Sequence, residues 1–420
     1  MFVYTVRPND SLYSISVRYD IPVDAIRAVN GLVNPNVVPG QSLLINQPLY
    51  IVQPGDSLYT ISRMAYVPPD VLASANPSLN LNNLQPGMRV RIPKFPNYRI
   101  STLGYTVLQT PELDQALISD FAPYMTYVAL FEYHFGSDGS LSQLNDQPVV
   151  SIARARHVAP LATITNLTES GFNPNLVREV LRTPAVRQNL INNIFNLLSS
   201  RGYSGVNIDF ERVTAEDRDY YSDFLRRLGD RLKPAGYVMT IAVPAKTSED
   251  IPWLLGYDYG AIGSVVDLMF IMAYDFHEAG SEPGPVAPID QVRRTIEFAL
   301  SRVPSRKILL GVPLYGYDWP LPYTPETPGT AISVSDAVEL AMRYQVPIRY
   351  SVEYESPYFQ YVDEMGRRHI VWFEEPRSMS EKMLLVYRYR LRGMGAWQLN
   401  LNLPQGPWLL TKFFTIRKVL

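Results

Sequence analysis

Apolar and polar positions alternate in short runs near the start of the chain. Tyr4 to Val6 and Tyr50 to Val52 read as strands, and each is followed by a Pro-x-Asp turn and a helix with apolar positions at Leu12 and Ile15 or Leu58 and Ile61. A second helix begins near Pro22-Val23-Asp24 or Pro68-Pro69-Asp70 and ends by Asn30 or Asn76. A Pro-Gly turn then leads to a closing strand, Ser42 to Ile45 or Arg89 to Ile92, so the order predicted for each unit is βααβ. Asp10 and Asp56 are expected to cap the first helices. After Pro93-Lys94-Phe95-Pro96 the pattern becomes short apolar strands alternating with longer segments. The strands are Ser101 to Val107, Tyr127 to Tyr133, Ala159 to Thr165, Gly205 to Asp209, Val238 to Val243, Leu268 to Ala273, Ile308 to Pro313 and Gly393 to Gln398. Eight such strands with helices between them predict an α/β fold, a (β/α)8 TIM barrel. Helices are expected at Asn175 to Ser200, Ala215 to Leu232, Ile289 to Arg302 and Arg377 to Arg392. Strands seven and eight are separated by a long stretch in which Tyr350-Ser-Val-Glu-Tyr, Tyr358-Phe-Gln-Tyr-Val and His369-Ile-Val-Trp-Phe predict an antiparallel α+β insertion.

The two N-terminal units are a repeat. Tyr4-Thr-Val-Arg-Pro-Asn-Asp-Ser-Leu-Tyr aligns with Tyr50-Ile-Val-Gln-Pro-Gly-Asp-Ser-Leu-Tyr, and Asn30 with Asn76 and Pro39-Gly40 with Pro86-Gly87 follow in register. These residues resemble the LysM module, which implies binding of N-acetylglucosamine-containing glycans. The expected domains are a LysM module at 1–47, a second at 48–94, and a barrel at 95–420 with an inserted subdomain at about 320–376.

Composition narrows the chemistry. The net charge of −2, from 38 basic and 40 acidic residues, offers no overall attraction for nucleic acid or an anionic membrane. With no cysteine there is no disulfide, thiolate nucleophile or cysteine zinc site, and none of the four histidines is paired at i, i+4. No metal and no cofactor are expected. The first residues lack a basic segment followed by an apolar one, and the apolar runs are too short to span a bilayer, so neither a secretory signal peptide nor a membrane helix is expected.

The sharpest chemical signal is Gly205-Val-Asn-Ile-Asp-Phe-Glu211. With period two, Val206, Ile208 and Phe210 share one face and Asn207, Asp209 and Glu211 the other. Polar groups running toward the C-terminal end of a barrel strand point to catalysis. The competing reading is a buried ion-pair network with Arg212 or Arg154.

The segment resembles glycoside hydrolase family 18, whose strand-four motif is Asp-x-x-Asp-x-Asp-x-Glu. Asp209 and Glu211 match its last two acids, while Ser204 and Asn207 replace the first two. Met272-Ala-Tyr274-Asp275 matches the family's Met-x-Tyr-Asp, Gly311 to Gly316 matches strand seven, and Trp397 stands where the family keeps a floor tryptophan. The usual Ser-x-Gly-Gly of strand three is replaced by Thr163-Ile-Thr-Asn166, a departure from ordinary chitinases. The LysM pair, Asn207, and the runs 356–364 and 371–378 resemble the branch of cortical-fragment-lytic glucosaminidases of endospore-forming bacteria.

The resemblance implies a retaining, substrate-assisted β-N-acetylglucosaminidase of spore cortex peptidoglycan, acting in the endospore coat or cortex during germination and anchored by its LysM modules. It implies Glu211 as acid, Asp209 as the group that stabilises the oxazolinium, and Tyr274 as the residue that orients the acetamido carbonyl. Asn207, Asp275, Trp397, Gln398, Tyr315 and Tyr105 are the expected substrate contacts. The expected partner is peptidoglycan or another N-acetylglucosamine-containing glycan, with no nucleic acid or membrane partner and a monomeric chain. The alternatives are a non-catalytic glycan-binding or coat-structural protein, and a chitinase.

Overall fold

A computed structural model describes all 420 residues. In each N-terminal unit a two-stranded antiparallel sheet, Phe2–Thr5 with Ser42–Ile45 or Leu49–Ile51 with Arg89–Arg91, is crossed by two helices. The first helices, Leu12–Tyr19 and Leu58–Ala65, are capped by Ser11 and Ser57. Each cap hydroxyl accepts from the N–H three residues on, and Ser14 or Thr60 answers with its own side chain. This corrects the expected caps: serine is the extended residue adjoining the first turn, so its short hydroxyl reaches the orphan N–H that an aspartate one residue earlier does not. Asp10 instead accepts from the Tyr4 hydroxyl, the Arg7 N–H and the Arg18 guanidinium. Asn30 accepts from the Leu44 N–H and donates to the Ile26 and Leu44 carbonyls, stitching helix to closing strand, and Asn76 repeats this with Arg91 and Leu72. The two units share one apolar core, with Phe2 edge-on to Tyr50 at 5.1 Å.

The eight barrel strands are Tyr98–Val107, Tyr127–His134, Ala159–Thr165, Gly205–Asp209, Val238–Pro244, Leu268–Met272, Ile308–Pro313 and Gly393–Trp397. Neighbours pair in parallel, and strand eight closes on strand one. Val206, Ile208 and Phe210 pack outward with the helices, while Leu103, Tyr105, Leu161, Phe270 and Leu309 fill the interior. A short strand, Phe414–Ile416, extends the sheet beside Tyr98–Ile100. The helix expected at 175–200 is two, Pro174–Arg182 and Pro184–Arg201. Pro184 has no N–H to continue the ladder, and it holds Thr183 extended at φ −92°, ψ 104°.

Between strands seven and eight lies a five-stranded antiparallel sheet, in the order Thr330–Ser333, Tyr315–Leu321, Arg368–Trp372, Ser356–Val362, Arg349–Ser351, with a helix at Val334–Arg343. Its first strand starts at Tyr315, directly after strand seven. No helix is long and apolar enough to cross a membrane.

Candidate active site

Loops at the C-terminal ends of the barrel strands enclose a cleft of about 680 Å³. Six of the residues singled out from sequence line it: Tyr105, Asp209, Glu211, Tyr274, Asp275 and Trp397. Trp397, the last residue of strand eight, packs against Tyr105 at 5.5 Å and edge-on to Phe131 at 4.9 Å, which fixes its ring as a floor. Asp209 ends strand four and is 4% exposed, and its Oδ1 has no hydrogen-bond partner within the protein. Neither Asp209 nor Glu211 joins an ion pair, and Arg154 donates to the Gly202 carbonyl instead. The expected alternative pairing with Arg154 is not formed, and Arg212 acts on Glu211 through its charge without an ion-pair contact.

Two carboxyls this close and this poorly solvated resist ionising together. Burial raises the Asp209 carboxyl well above the carboxylate range, with Glu211 and then Glu132 adding repulsion. Burial also pushes Glu211 up to about 7; Arg212 opposes the shift and Asp275 adds to it. Asp275, at φ +57°, accepts from the Tyr315 hydroxyl at 2.7 Å and the Tyr317 hydroxyl at 3.2 Å. Burial raises its carboxyl and these donors pull it back. Tyr274 lines the cleft, and burial raises its hydroxyl well above the usual phenol range.

Three expected contacts lie elsewhere. Asn207 is fully buried beneath the floor, donating to the Tyr105 hydroxyl at 3.0 Å and accepting from Thr240 at 2.8 Å. Strand alternation gives its direction but not its depth, and two residues earlier on the strand is one layer lower. Tyr315 is 5% exposed and props Asp275 from the first strand of the insertion. Gln398 does not line the cleft, and its Oε1 is buried without a partner.

Sequence reading missed several residues. Phe131, Phe172, Trp253 and Gln291 line the cleft, and Trp253 is 76% exposed on its rim. Glu132 is held by the Thr165 hydroxyl at 2.9 Å, close enough to Asp209 to act on it electrostatically. An aromatic at the end of strand two and a tryptophan in the loop after strand five were signals of position alone. Glu132 had none, because its effect depends on a neighbour two strands away.

The family model for glycosyl hydrolases family 18 matches residues 117–402, and that for the LysM domain matches 4–46 and 50–93. Over its full length the chain is 58% identical to all of YdhD of Bacillus subtilis (strain 168), which is named a sporulation-specific glycosylase. It is 37% identical to the cortical fragment-lytic enzyme of Bacillus anthracis over 99% of both chains. The crystal structure of the Bacillus cereus spore cortex-lytic enzyme SleL matches with a TM-score of 0.91 at 36% identity, covering 99% of each chain.

Proposed function

Because the chain belongs to glycosyl hydrolases family 18 and is a glycoside hydrolase with two LysM domains, we propose that it is a retaining, substrate-assisted β-N-acetylglucosaminidase of spore cortex peptidoglycan or its fragments. The observation that carries this reading is the carboxyl pair: a buried Asp209 with an unpartnered oxygen, beside a Glu211 held near neutrality, above an indole floor. Asp209 ends strand four and Glu211 follows two residues on, so both carboxyls reach the cleft from one strand exit and not from opposite sides of the bond, and neither serves as a nucleophile opposite the other. The substrate's C2 acetamido oxygen then attacks the anomeric carbon. Glu211 protonates the leaving oxygen, and Asp209 accepts the acetamido N–H through the oxygen that lacks a partner in the free protein. Tyr274 donates to the acetamido carbonyl and Trp397 stacks on the sugar. Water opens the oxazolinium from the face the leaving group vacated, with Glu211 taking its proton, and configuration is retained.

The two LysM domains bind N-acetylglucosamine-containing glycan and raise the effective concentration of cleft and polymer. The working place is the endospore, in its coat or cortex, as the relatives' names support. Glu211→Gln should lose at least about 100-fold in rate on soluble cortex fragments while still pelleting with cortex. Product masses from cortex fragments beside chitin oligomers test the bond, and faster cleavage of the chitin oligomers would favour a chitinase instead.

A further inference from the structure

The strand-three stretch that departs from the family pattern ends in Asn166, and this side chain does what no glycine could. Asn166 is fully buried. Its Nδ2 donates to the Glu211 carbonyl at 2.9 Å and to the Asn173 carbonyl at 3.1 Å, and its Oδ1 accepts from the Glu211 N–H at 2.8 Å. The ladder between strands three and four ends at Thr165 opposite Asp209. Glu211 therefore lies beyond the last strand pair, next to Arg212 in the left-handed region at φ +58°. There the Asn166 amide replaces the missing ladder, holding both main-chain groups of Glu211. Tyr257 grips the flanks, donating to the Phe210 carbonyl at 2.9 Å and accepting from the Val213 N–H at 3.3 Å.

We propose that Asn166, together with Tyr257, is a positioning residue that fixes the strand exit carrying Glu211 and so aims its carboxyl at the glycosidic oxygen. The proposal rests on the reading of Glu211 as the acid. Its logic is geometric. An acid must be held within a fraction of an ångström of its productive place, and a misplacement of 1 Å costs about 100-fold. A residue past the end of a strand has no regular structure to hold it there. A freed exit would also let the carboxyl swing into water, which would undo the burial that holds it near 7.

The test compares wild type, Asn166→Gly, Tyr257→Phe, Asn173→Ala and Glu211→Gln on soluble cortex fragments from pH 4 to 9, with thermal unfolding alongside. Asn173 caps the Pro174–Arg182 helix through its side chain, and it meets Asn166 only through main-chain atoms that alanine keeps, so its variant reports local destabilisation. Asn166→Gly should lower kcat about 10- to 100-fold with KM within about threefold, and should move the basic limb of the pH profile to lower pH. Asn173→Ala should melt earlier but keep the wild-type kcat and basic limb. An Asn166→Gly enzyme with wild-type kcat and an unmoved basic limb would overturn the proposal, as would one whose loss merely tracks its unfolded fraction. Should Asn166→Gly fail to fold, Tyr257→Phe carries the same expectations and the same refuting outcome. A Glu211→Gln protein that keeps more than a tenth of the wild-type rate would sink the assignment of the acid itself, a result separable from failure of the clamp.

Discussion

Ser42, in the closing strand of the first module, donates a 2.8 Å hydrogen bond to Glu375, the N-cap residue of the Pro376–Arg388 helix that leads into barrel strand eight. Both residues are buried. Glu375 is also paired with Arg377, whose guanidinium reaches back to the Gly40 carbonyl at 2.9 Å. Gly40 itself, at φ +84°, lies so close to the insertion that a Cβ would stand 1.8 Å from the Ile348 carbonyl oxygen. Val3, Val29, Val38, Leu44 and Tyr66 of the modules belong to the same apolar core as the barrel. The modules are therefore part of the folded body rather than tethered beads.

Removal of residues 1–94 should consequently destabilise what remains. It would expose that apolar contact and take the Ser42 hydroxyl and the Gly40 carbonyl away from the buried Glu375–Arg377 pair. The truncated chain should melt more than about 5 °C below the full chain, by differential scanning calorimetry at equal pH and salt. Equal melting temperatures would mean that the seam contributes no stability.

A second expectation concerns Glu132. After burial and Glu211, its charge is the third cause that keeps the Asp209 carboxyl raised. Glu132→Gln removes a like charge, so Asp209 should ionise more easily and the acidic limb of kcat/KM should move to lower pH. Profiles from pH 3 to 9 for both proteins would show this, and an upward shift or none would place Glu132 outside the electrostatics of the pair.

These two cases mark what the chain discloses of itself. Period-two alternation located all eight barrel strands and the outward Val206, Ile208 and Phe210, because a strand's two faces meet different surroundings at every step. The repeat exposed the modules in the same way. Alternation carries no depth, and so Asn207 was expected in the cleft when it belongs to the layer below. It carries no contact between distant segments either. The Ser42–Glu375 bond spans 333 residues, and the hold of Asn166 on Glu211 spans 45. Asn166 registered only as a missing glycine, since what it does is decided by the main chain of another strand.

The last prediction follows from the position of Glu211 near neutrality. Its carboxyl titrates at about 7 in the folded protein against an ordinary value of 4.5, because the charged form is poorly solvated there. Between those two values the unfolded chain has already released this proton and the folded chain has not. The native state therefore binds more protons, and stability falls as pH rises. Above about pH 7 the whole penalty is present, on the order of 3 kcal/mol, and below about pH 4 it is absent. Glu211→Gln is neutral at every pH and escapes it. The inactive variant should thus be more stable than wild type in urea unfolding at pH 8, with the advantage fading by pH 4. Loss of the Glu211 charge relieves the neighbouring Asp209 as well, which acts in the same direction. If the stability difference were the same at both pH values, Glu211 would not be held above the usual carboxylate range, and its fitness to donate a proton at neutral pH would need another source.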